Sequence, residues 1–487
     1  MAFYFLLKFE IEASVLVLEY YEVGKSQKAS NHWNRLLSSK RNLAASCIWH
    51  PASCILYRIS PINPNCLSLQ PRNSTSMAII YPFKALRPQP QYAKQVASRP
   101  YDVLNSAEAR KEASGNPNSF LHVTKSEIDL PEKTDIHSEA VYEKAKENLQ
   151  AFTQRGILFR EEKPCYYIYE LVMNGRSQTG LVCASSVDDY EEDVIKKHEF
   201  TRPEKEQDRI NHIRISGAQT GNVFLAYRNQ KQVDEIIEEW KSSHTPVYDF
   251  VADDGIAHRI WIINSNDTIG EITKLFAKKV PETYIADGHH RAASAAKVRK
   301  SLGKEITEGA EYFLTTLFPA SQLQIMDYNR VVKDLNDLDE KDFVKKVARK
   351  FEVEKVDKAF SPAELHVFGM YIPGQWFKLT AKEGSYKDDP IGVLDVTILQ
   401  ENILDPILGI KDQRTDQRID FVGGIRGVNE LEKRVNSGEM AVAFSLHPVS
   451  IQQLFDIADS GNVMPPKSTW FEPKLRDGLL THLIYEP

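Results

Sequence analysis

The run Ala286-Asp287-Gly288-His289-His290-Arg291-Ala292-Ala293 is the sharpest chemical feature of the sequence. It lies between a short apolar strand pattern, Tyr284-Ile285-Ala286, and a helical pattern, Arg291–Leu302. A helix N-terminus presents unpaired N–H groups and a partial positive charge, so anions bind there. Gly288 lets the backbone approach a phosphate closely. Arg291 offers a planar fork of donors. His289 and His290 donate hydrogen bonds or ligate metal. Asp287 holds a magnesium ion that bridges phosphates, or acts as a base. Two alternatives stand beside the anion site. One is a helix capped by Asp287 with surface histidines. The other is a metal site using both histidines, although adjacent residues point apart and no third soft ligand lies nearby.

Two further clusters carry chemistry. Lys197, His198, Glu199, Thr201, Arg202 and Lys205 crowd together just before and after Pro203. Pro203 suits the first turn of a helix. The plain reading of 204–214 is a solvated helix with i,i+4 pairs. Glu199, beside His198, is a candidate base for a hydroxyl proton. Near the C-terminus, Pro465-Pro466 stiffen a loop, and Lys467, Ser468 and Thr469 can grip a carboxylate or phosphate. A rigid surface loop is the alternative there.

The elements that must position these residues read as mixed α/β. Cys165–Met173 is aromatic and β-branched and runs into Asn174-Gly175, the strongest short hairpin signal. A second hairpin fits Val247–Val251, Asp253-Asp254-Gly255 and Arg259–Ile263, and a helical pattern covers Ile269–Val280. Towards the end come helical Val428–Val435, strand Met440–Leu446 and helical Ile451–Ala458. No repeat or low-complexity tract is present.

Composition bounds the function. The net charge of −6 gives no broad footprint for nucleic acid or acidic membrane. No stretch approaches the ~20 apolar residues of a membrane span. The N-terminal Phe3–Leu7 run is broken by Lys8, Glu10 and Glu12, so no export signal is read and a cytoplasmic location is the default. The five cysteines form no C-x-x-C pair, which argues against a disulfide framework or structural zinc. Walker P-loop, G-x-G-x-x-G and H-E-x-x-H patterns are all absent. Residues 1–76 stand apart, with three of the cysteines, no aspartate and a charge of +4. They read as an atypical extension outside the folded domain, disordered or following a misassigned start, with a transit segment as the rival. The catalytic region is then 77–487, with a nucleotide-binding core at about 160–310.

The clusters, in this order, resemble the family called domain of unknown function 1015, which includes free serine kinases. The supporting marks are Ala78–Phe83, Pro100-Tyr101-Asp102-Val103, Gly115–His122, Lys196-Lys197-His198-Glu199, Asp208-Arg209, Asp287–Arg291 and Pro466–Thr469. The resemblance implies a ParB/sulfiredoxin-like core with additional N- and C-terminal lobes. It implies a kinase that moves phosphate from ATP or ADP, with Mg2+, to a hydroxyl, free L-serine foremost. Glu199 becomes the base, and Asp287 lies close to the reacting phosphate. Gly288, His289, His290 and Arg291 hold the nucleotide. His198, Lys467, Ser468 and Thr469 hold the small-molecule substrate. No membrane or nucleic-acid partner is implied. The alternative is a ParB-like nucleotide-sensing regulator.

Overall fold

The computed structural model describes residues 77–485. The expectation for residues 1–76 lies outside the described residues. A mixed nine-stranded sheet forms the centre. Its strands are β1 (Ile80–Tyr81), β2 (Tyr166–Met173), β3 (Arg176–Ser186), β4 (Ile195–Lys196) and β5 (Val223–Tyr227). They continue with β6 (Tyr248–Val251), β7 (Ala257–Ile263), β8 (Thr283–Asp287) and β9 (Tyr312–Pro319). The spatial order is β4-β8-β5-β9-β3-β2-β7-β6, with β1 beside β3. β8 runs parallel to β4, and β9 parallel to β5. The α/β reading of the sequence therefore holds.

Both sequence-predicted hairpins form. Asn174 (φ 51°) and Gly175 (φ 78°) link β2 to β3 in the positive-φ conformation that Asn-Gly accepts. The turn at 252–256 joins β6 to β7, which pair from Tyr248↔Ile260 to Val251↔Ala257. Alternation along β2 splits its side chains between two cores. Tyr166 and Ile168 face one side, where Val233 and Ile237 of α3 (Lys231–Ser243), Phe276 of α4 (Asn266–Lys279) and Ala292 of α5 (His289–Leu302) pack. Tyr167 and Tyr169 face the other, in a core shared with a second lobe. Helices α1 (Glu139–Gln154) and α2 (Pro203–Ser216) precede α3.

That lobe is built on a six-stranded sheet of β10 (Tyr328–Val332), β11 (Phe351–Val356), β12 (Val367–Ile372), β13 (Gln375–Ala381), β14 (Ile419–Gly423) and β15 (Val442–Leu446). Its order is β11-β13-β12-β15-β10-β14. Helices α6 (Val428–Asn436) and α7 (Ile451–Asp459) lie where the sequence pattern puts them. Phe455 of α7 stacks on Tyr284 of β8 at 4.0 Å, which joins the second lobe to the strand that leads into the Asp287 loop. Among the described residues, no helix is long and apolar enough to cross a membrane.

The helix 204–214 departs from the solvated reading. In α2, Glu206, Arg209, His212 and Ile213 are buried. Arg209 pairs with its neighbour Asp208 at 2.7 Å and stacks over the Tyr101 ring at 3.9 Å. Glu206 accepts from Thr201 and pairs with Lys297 of α5. The alanines of α5 let α2 approach closely, and Ser294 donates to the Glu206 carbonyl at 3.1 Å. Tertiary packing has taken a helix of low amphipathicity into the interior.

Candidate functional site

Parallel pairing of β4 with β8 puts the C-terminal ends of both strands at one sheet edge. Open α/β sheets bind ligands beyond such ends. Lys197-His198-Glu199 comes directly after β4, and Gly288-His289-His290-Arg291 directly after β8. A register shift between Ile285 and Asp287 re-aims the end of β8. Asp287 is the last residue of that strand, so it does not cap the helix. The cap position of α5 is Gly288, with φ 100° and no side-chain capping bond. A Cβ there would lie 3.2 Å from the Arg291 Cζ and 3.3 Å from the Val223 Cα. Only glycine fits this turn, and the first amides of α5 are left open.

The two loops share a cavity of about 370 Å³ with the segment 464–474. That volume suits a small-molecule site. Glu199, Asp287, Gly288, His289, His290, Arg291, His198, Lys467, Ser468 and Thr469 all line it. The C-terminal segment is fastened there by Met464 N–H donating to the His198 carbonyl at 2.8 Å. It is also held by Trp470–Phe471 pairing with Ile325–Met326. The sequence clusters thus converge, and the rigid loop at 465–469 forms one side of the cavity.

On the floor, charge is locked. Asp287 Oδ2 accepts from Lys474 Nζ at 3.2 Å and from Arg291 Nη2 at 3.4 Å. Burial opposes ionisation of Asp287, but Lys474 and Arg291 overrule it and hold its carboxyl well below the usual range. Arg291 Nη2 also reaches Asp102 Oδ2 at 3.5 Å, and Nη1 donates to the Asn222 carbonyl. The donors expected to grip phosphate are therefore largely spent on the protein itself. A permanently ionised Asp287 makes a poor proton acceptor near neutral pH. It suits charge stabilisation instead.

The histidines are neutral. Burial pushes His198 down to about 4. Burial and the neighbouring His198 hold His289 well below its usual value. Burial and Lys205 push His290 down to about 4. The His198 N–H donates to His289 Nε2 at 3.4 Å, which leaves the His289 proton on Nδ1, 3.9 Å from Glu199 Oε2. Buried His198 Nδ1 and His290 Nδ1 have no hydrogen-bond partner among the described residues. Among those residues, no group of three or more His, Cys, Asp or Glu side chains is arranged to hold a metal.

At the rim, Glu199 keeps 48% of its side chain in solvent. Burial of the carboxyl raises its pKa; Lys467, Arg202 and Lys205 oppose the rise and Asp287 adds to it. The open side chain limits that rise. Ser468 spends its hydroxyl on the Pro465 carbonyl at 2.6 Å, closing the loop rather than facing a ligand. Sequence reasoning missed Lys474, which sits in no motif, and Tyr328, from the second lobe. Asp102 was visible only as part of Pro100-Tyr101-Asp102-Val103, with no role attached.

The model for the family described as Protein of unknown function (DUF1015) matches residues 80–397. The chain belongs to this family. The match ends before Lys467 and Lys474, so the C-terminal wall of the cavity lies beyond it. No curated protein matches the sequence. Three solved structures illustrate the structural likeness. A conserved hypothetical protein from Pyrococcus furiosus shares 16% identity at a TM-score of 0.32, over 63% of this chain and 97% of that one. Free serine kinase in complex with AMP shares 13% at 0.34, over 63% and 93%. SbnI with a C-terminal truncation, from Staphylococcus aureus, shares 11% at 0.34, over 62% and 87%. Likeness at these scores implies nothing about activity.

Proposed function

We propose that this protein is a nucleotide-dependent small-molecule kinase. It transfers phosphate from ATP or ADP to a hydroxyl, with free L-serine as the acceptor to test first. The observation that carries the reading is one cavity with an open helix N-terminus at Gly288 and a carboxyl of raised pKa at Glu199. Phosphoryl transfer needs positioning and charge neutralisation more than covalent chemistry. The amides at the start of α5 and the neutral His290 donate to the nucleotide phosphates. The donors of Arg291 act mainly by fixing Asp287 and the loop.

Magnesium would enter as an ion carried by the phosphates, and Asp287 and Asp102, which both bond Arg291 Nη2, are the protein carboxylates that would hold it. Bound there, it would neutralise charge on the phosphates. Glu199 takes the proton from the acceptor hydroxyl at its carboxylate oxygen. The His289 Nδ1, 3.9 Å from Glu199 Oε2, faces that carboxylate. Lys467, with His198 and Thr469 on the same wall, holds the acceptor's negative group. The test is to incubate the protein with MgATP or MgADP, L-serine and pooled hydroxyl metabolites, and to read products by mass spectrometry. Phosphoserine, or another phosphorylated hydroxyl compound, is the expected product. Nucleotide binding with no phosphorylated product from any acceptor would remove the kinase reading.

A further inference from the structure

Arg330 is among the largest fully buried side chains, with 0% exposure on β10. A buried guanidinium is costly unless it is paired. Among the described residues no carboxylate lies within 4 Å of it. Two of its nitrogens donate to backbone carbonyls, Nη1 to Tyr328 and Nη2 to Lys467 at 3.0 Å, and the buried Nε has no partner among the described residues. The Phe421 ring lies 5.4 Å from it. Burial lowers its pKa to about 10, which leaves it charged at neutral pH. A charge kept at such a cost is explained by what it holds.

Both carbonyls belong to residues that line the cavity. Lys467 sits at φ 59°, a left-handed conformation that a residue with a Cβ adopts only when its surroundings impose it. The Ser468–Pro465 bond closes the turn from one side, and Arg330 holds the Lys467 carbonyl from the other. The Lys467 ammonium lies 5.7 Å from the Tyr328 ring centroid. One guanidinium therefore pins the backbone at both ends of this contact.

We propose that Arg330 is the positioning residue for Lys467, holding its strained backbone from behind the cavity wall and so aiming its ammonium into the substrate site. The inference rests on the proposed role of Lys467 in holding the acceptor. Its first test needs no substrate. In Arg330→Met, hydrogen exchange of the Met464 and Lys467–Thr469 amides should speed up roughly tenfold, while β8 and α5 keep their protection. Arg330→Lys keeps the charge but not a fork that reaches both carbonyls, so it should fall between Met and the parent. If Arg330→Met does not fold, the Lys variant decides alone. Parent-like exchange of those amides in the folded variants overturns the inference.

The second test uses L-serine and MgATP. Arg330→Met should raise the serine KM roughly tenfold with kcat within about twofold. It should add little in a Lys467→Ala background, because the two changes remove one function. Additive effects overturn the positioning role. A parent that leaves serine unphosphorylated, or a Lys467→Ala variant with an unchanged serine KM, defeats the proposed acceptor site instead. The exchange comparison still decides what Arg330 holds.

Discussion

Two regions of one cavity treat their carboxylates in opposite ways. On the floor, Asp287 lies 3.2 Å from Lys474 and 3.4 Å from Arg291, with 29% of its side chain exposed. At the rim, Glu199 meets the His289 ring at 3.9 Å and leaves 48% of its side chain in solvent. The floor carboxyl is held low by two cations, and the rim carboxyl is raised by partial burial. Environments that push two carboxyls apart separate their possible roles. On the proposed function, the ionised floor group would supply fixed charge beside the phosphates, and the rim group would exchange a proton with the acceptor.

The largest effect should come from the rim. Glu199→Gln keeps the shape but cannot accept a proton. Turnover should fall ~10²–10⁴-fold, while nucleotide affinity by calorimetry stays at the parent value. Parent-rate phosphoserine formation by this variant would erase the functional difference between rim and floor. Changes on the floor should show first as stability. Asp287→Asn leaves Lys474 and Arg291 short of a counter-charge. It should cost roughly 2 kcal/mol by urea denaturation, below the fully buried range because Asp287 is partly exposed. Turnover should drop more than nucleotide affinity.

Arg291→Ala sharpens the comparison from within the floor. It should weaken nucleotide binding by roughly 1.5–3 kcal/mol, read by calorimetry, as the loop loses its anchor. A stability loss at unchanged affinity would place Arg291 in the scaffold alone. The smallest effect is a shift in pH dependence. Glu199 must be ionised to act, so activity should rise with pH through a midpoint above the ordinary glutamate value. Lys467 pulls that midpoint down, so Lys467→Ala should move it up, by a small amount at so exposed a group. A pH profile of kcat reads it, and an unmoved midpoint would detach Lys467 from Glu199.

Much of this protein was legible locally. Asn174-Gly175 required positive φ at both positions, and the structure has it. The junction at 286–293 announced a strand, a glycine turn and a helix, because turn chemistry and periodicity act within a few residues. The same local view misjudged two features. It offered Asp287 as a helix cap, where a register shift makes it the end of β8. It also read 204–214 as solvated, where contacts with α5 and Tyr101 bury one face.

What tertiary structure alone decided was the company these residues keep. Asp287 and Lys474 are 187 positions apart, and Arg291 and Asp102 are 189 apart. No periodicity or spacing rule acts over such separations. They meet because parallel pairing of β4 with β8 brings two strand ends to one sheet edge, and because the C-terminal segment is tied across it. The sequence by itself determined which side chains are chemically able. Burial and charge pairing, which exist only once the chain is packed, decided which carboxyl stays ionised and which can take a proton.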